Sequence, residues 1–111
     1  MRILLTAACC LLASAPALSA PASQVPDCWH WPVMMGFAQL KNKHVLDNTT
    51  DPERATHKRI ASQQIGPDLY RQVYDVHYLK STGEDVEVVT ISDASHDECS
   101  MGDVRVLQVM P

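Results

Sequence analysis

Two cysteines decide most of what this chain can become. Cys28 and Cys99 stand near the two ends of the sequence that remains once an N-terminal leader is set aside. The leader has three parts: a basic start at Met1-Arg2, an apolar run over 3–12 broken only by Thr6, and small residues with prolines over 13–22. That is the layout of a secretory signal peptide, and the apolar run is too short for a spanning anchor. Small residues at −1 and −3 favour a cut after Ala22, with Ser19 as the second choice. Lipidation at Cys9 or Cys10 fits poorly, because little apolar sequence precedes either. In an exported protein an even pair of cysteines reads as a disulfide. The closed loop of about 70 residues corresponds to roughly 4 kcal/mol in the chain-entropy relation. A domain of about 90 residues is marginal on its apolar core alone, so that contribution matters. A catalytic thiol or a metal thiolate lacks local support, since the sequence after the leader contains no Cys-x-x-Cys.

The remaining sequence divides into a Pro/Ser/Gln-rich extended arm over 23–31 and one domain over 32–111. The whole chain has 111 residues and a formal charge of −4. Without the leader, which carries Arg2, eight Lys+Arg face thirteen Asp+Glu, a net of −5. This excludes a multidomain enzyme and a nucleotide-binding α/β domain on size. It excludes a basic nucleic-acid binder on charge.

From Pro32 the apolar residues Val33, Met34, Phe37, Ala38 and Leu40 recur at helical steps, which predicts a helix to about Lys43. Pro32 suits its first position. Gly36 weakens such a helix by roughly 1 kcal/mol relative to alanine, so close packing or simple tolerance must explain it. Asp51-Pro52 opens a short helical turn. The segment 57–65 fits either strand or helix, and strand is favoured because sheet follows. The run 73–79, a reversal at 81–84 and the β-branched run 86–92 form an antiparallel hairpin, the firmest local feature. A polar loop over 93–103 then leads to a last strand over 104–110. One helix followed by three or four antiparallel strands is α+β: an N-terminal amphipathic helix packed on a meander, stapled by the disulfide.

Several residues could carry function. Trp29 and Trp31 alternate beside Cys28, either as an aromatic anchor for a partner or as packing over the disulfide. The loop holds Asp93, His96, Asp97, Glu98 and Asp103. Its Asp-x-Ser-x-Asp start departs from a calcium loop at Glu98, where glycine belongs, and at Val104, where a glutamate belongs. The histidines lack the i, i+4 spacing of a helical zinc pair. No catalytic set, metal or cofactor is therefore expected. Tyr70, Tyr74 and Tyr78 share one face of a strand, as core or as an aromatic patch.

Cys28-Trp29-x-Trp31-Pro32, Leu69-Tyr70-Arg71-Gln72 and Asp93-Ala94-Ser95-x-x-Glu98-Cys99-Ser100-Met101 resemble the motifs of small, uncharacterised exported bacterial proteins. The resemblance covers nearly the whole chain after the leader. It supports the cysteine pairing and implies a bacterial envelope address, and it brings no catalytic residue. The expectation is a periplasmic or secreted protein that binds a protein partner, inhibitor- or immunity-like. Its recognition surface would join Trp29 and Trp31 to Asp93, His96, Asp97, Glu98 and Asp103, and its acidic charge would steer a basic partner. The alternatives are a small hydrolase or metal-dependent enzyme using the 93–103 loop, and a structural accessory of the envelope.

Overall fold

The computed structural model describes residues 24–110. The leader expected over 1–22 lies outside the described residues. A helix, α1 (His30–Asn42), precedes a 3₁₀ turn (Pro52–Arg54) and four strands: β1 (Thr56–Gly66), β2 (Leu69–Leu79), β3 (Asp85–Ala94) and β4 (Met101–Gln108). The strands form one antiparallel sheet in the order β1-β2-β3-β4. One helix on a four-stranded meander is the α+β architecture expected. Among the described residues no helix is long and apolar enough to cross a membrane.

The β2–β3 hairpin is the regular centre of the sheet, paired without a bulge from Tyr70 opposite Ala94 to Leu79 opposite Asp85. Gly83, at φ 90°, supplies the left-handed conformation that its turn requires. Alternate residues of these strands are buried. Tyr70, Tyr74, Val76 and Tyr78 of β2, with Val86 and Val88 of β3, make the inner face under α1. The three tyrosines are thus core. The 57–65 segment is strand, as favoured.

Two boundaries differ from expectation. The helix starts at His30, with Pro32 buried in its first turn. Every amide in that turn lacks an intrahelical acceptor, so proline fits there as well as at the first position. The loop before β4 shrinks to 95–100, because β3 runs through Ala94 and β4 begins at Met101. Gly102, at φ 72°, lies in a register shift that lets β4 begin early and then re-pair at Arg105, opposite Ile91. Asp93 and Asp103 therefore lie on strands.

The helix also presents a different stripe. Pro32, Val33, Gly36 and Leu40 are buried, while Ala38 is exposed. Gly36 marks the closest approach to the sheet: a Cβ there would come within 2.5 Å of the Tyr78 hydroxyl. That hydroxyl donates to the Val33 carbonyl at 2.6 Å, and burial pushes the phenol well above its usual pKa. Close packing, and not tolerance, explains the glycine.

Residues 25–29 form neither helix nor strand and are tied to the sheet at Pro26. The Pro26 carbonyl accepts from Gln72 Nε2 at 2.6 Å and from Arg59 Nη1 at 3.1 Å. Gln72, fully buried, also accepts from the Tyr74 hydroxyl at 3.1 Å. A buried amide between two polar partners avoids the cost of desolvation without a bond. It ties the incoming chain to the sheet just ahead of Cys28.

Candidate functional site

Cys28 and Cys99 are bonded, with Cα atoms 5.2 Å apart. The bond joins the residue two before α1 to the residue two before β4, as a staple between helix and sheet. It brings the tryptophan segment beside the 95–100 loop. Trp29 and Trp31 are both half-buried. Trp29 packs on the core and stacks face to face on His57, ring centroids 4.2 Å apart. The Trp31 indole N–H is buried and has no hydrogen-bond partner.

The loop is wired internally. Ser95 N–H donates to the Glu98 carbonyl at 2.8 Å, and Glu98 N–H donates to Ser95 Oγ at 3.0 Å. Glu98 Oε1 accepts from the Ser100 hydroxyl at 2.5 Å and the Ser100 amide at 2.9 Å. Those bonds hold the Glu98 carboxyl below its usual range. His96 latches the loop to two other segments. Its Nδ1 meets the Asp68 carboxylate, and its Nε2 donates to the Gln24 carbonyl at 2.7 Å. The Tyr70 ring meets it edge-on. A carbonyl and a carboxylate can only accept, so the arrangement suits a ring protonated on both nitrogens. The bond to Asp68, then that to Gln24, raises the His96 pKa, with the Asp68 and Asp97 charges adding to it.

A pH dependence follows. The raised value means that the latch is complete below the unfolded pKa of about 6.5 and is lost as pH rises through the folded value. An NMR titration should place the His96 ring midpoint above 6.5, and Asp68→Asn should move it down. A midpoint that ignores Asp68→Asn would remove the latch.

The predicted recognition residues fall into two groups. Trp29, Trp31, His96, Asp97 and Glu98 gather at the disulfide, and Asp97 and Glu98 are exposed. Asp93 is instead paired with Arg71 on the sheet face away from α1, at 3.0 and 3.2 Å. Asp103 lines an open cleft of about 230 Å³ there with Arg71, Asp93 and Arg105.

The same outer face carries a cluster that sequence reasoning missed. Asp75 and His77 alternate on β2, and Glu87 of β3 stands opposite His77. His77 Nε2 lies 3.2 Å from Asp75 Oδ2 and 3.3 Å from Glu87 Oε2, while Nδ1 lies 2.7 Å from Asp85 Oδ2. The bond to Asp85 leads in raising the His77 pKa. A hydrogen bond with Asp75, helped by desolvation, lifts the Glu87 carboxyl. The available signal was the Asp-x-His alternation, which puts both side chains on one strand face.

No protein-family model matches the chain, and no curated protein or solved structure matches it significantly.

Proposed function

We propose that this protein is exported to a bacterial periplasm or beyond and acts by binding a protein partner, inhibitor- or immunity-like. The observation that carries the reading is the preorganised 95–100 loop: one covalent bond, the His96 latch and the Ser95–Glu98–Ser100 bonds fix it before any partner arrives. A fixed loop loses little conformational freedom on binding, which favours affinity. Its exposed carboxylates lie next to partly accessible tryptophan surface, a combination that steers a basic partner and then anchors it. The disulfide also fits an oxidising compartment. The hydrolase reading of the loop has less support, because both His96 ring nitrogens are engaged and neither is left to activate a nucleophile.

Capture on the immobilised disulfide-bonded protein from an envelope extract should recover one dominant, basic partner. Asp97→Lys should then slow association about tenfold at low salt and flatten its salt dependence, with the melting temperature nearly unchanged. Asp97 is the cleaner position, because Glu98 also holds Ser100. A partner whose association is indifferent to Asp97→Lys docks elsewhere, and recovery of no partner counts against binding as the function.

A further inference from the structure

We propose that Asp75, His77 and Glu87 bind one divalent transition-metal ion of zinc-like chemistry on the outer face of the sheet. One ligand atom from each residue lies within 4.8 Å of the others. A single imidazole nitrogen with two carboxylates is a donor set that zinc and its first-row neighbours accept, leaving coordination positions open to water or to a partner's side chain. The strands fix the set. Asp75 and His77 project from the same face of β2, and Glu87 sits at the directly opposite register position of β3, inside the longest unbroken pairing of the sheet. Rigid strands hold ligands more closely than loops do.

Two further observations separate this group from an ordinary charged surface. First, Asp85 Oδ2 bonds His77 Nδ1 at 2.7 Å. That bond keeps a proton on Nδ1 and turns Nε2 toward the Asp75 and Glu87 oxygens; a bound metal would replace the Nε2 proton that those oxygens otherwise accept, giving a carboxylate–histidine–metal arrangement. Second, Asp75 Oδ1 is buried and has no hydrogen-bond partner. The Asp75 carboxylate, which turns Oδ2 toward His77, is thus only partly satisfied by the protein, and a cation bound through it would offset that cost. The site is independent of the loop at the disulfide, so its failure would leave the binding proposal standing.

Titration of the disulfide-bonded protein with Co²⁺, followed by visible absorption, and with Zn²⁺, followed by calorimetry, tests this. One ion per chain is expected. His77→Gln should abolish saturable binding, and Glu87→Gln or Asp75→Asn should weaken it at least tenfold. Asp85→Asn, which removes the charge bonded to Nδ1 without removing a ligand, should weaken it about 10–100-fold, whereas His44→Gln should change nothing. Circular dichroism and melting of each variant separate lost ligands from lost folding. Should Asp75→Asn fail to fold, His77→Gln and Asp85→Asn still decide the matter. Absence of saturable binding, or binding that survives His77→Gln, would overturn the assignment.

Discussion

Cys28→Ala or Cys99→Ala should each lower stability by about 2–5 kcal/mol, and the double variant should lose no more than either single one. The two residues are 71 positions apart, so the bond removes much of the freedom of the unfolded chain. It also closes the end of the sheet where the entering chain, α1 and β4 meet. Urea unfolding of the three variants measures the costs. The singles are not chemically equal, since Cys28 is 4% exposed and its freed thiol would be buried, whereas Cys99 is exposed. That difference is small beside the shared loss of one bond. Costs that add in the double variant would mean two separate roles for the sulfurs. Under the proposed binding role, association with a partner should also slow in these variants, because the 95–100 loop loses its covalent anchor.

How far the sequence reaches depends on how local the deciding physics is. The β2–β3 hairpin was legible because β-branched runs and the glycine-bearing turn between them act within twenty-five residues. The disulfide was legible because the expectation of export, together with an isolated cysteine pair after the leader, leaves few alternatives. The sequence pattern puts the helix start two residues late because proline is tolerated throughout a first turn, so Pro32 marks that turn without fixing its first residue. Composition marks 93–103 as loop because it is acidic, while the register shift near Gly102 lets β4 start among those residues and leaves only 95–100. The residues expected to form a recognition surface separate for the same reason: Asp93 is a strand residue paired with Arg71. The Asp75–His77–Glu87 cluster depends on two facts that composition does not hold. One is the β2–β3 register, and the other is which sheet face α1 covers. Tyr74 and Tyr78, both fully buried, settle the second, and the odd-numbered residues of β2 then face outward by alternation.

The same helix–sheet contact gives the sharpest packing test. Gly36→Ala should destabilise the protein by about 1–3 kcal/mol, the range for an overpacked core. An alanine in an exposed helix would instead gain about 1 kcal/mol over glycine. The sign reverses because the new Cβ would lie 2.5 Å from the Tyr78 hydroxyl, which is buried and bonded to the Val33 carbonyl. The next atoms, Tyr78 Cζ at 3.6 Å and Thr90 Cγ2 at 3.7 Å, are at ordinary contact distance. The clash is thus with one oxygen atom. Tyr78→Phe removes that oxygen and loses one hydrogen bond, a cost of about 0.5–1.5 kcal/mol. Combined with Gly36→Ala, it should cost less than the sum of the two single changes, with a coupling of about 1–3 kcal/mol measured by chemical unfolding. In the double variant the alanine keeps its helical advantage while the steric conflict is gone. Additive costs would mean that the helix stands further from the sheet than this contact requires, and that Gly36 answers to some other constraint.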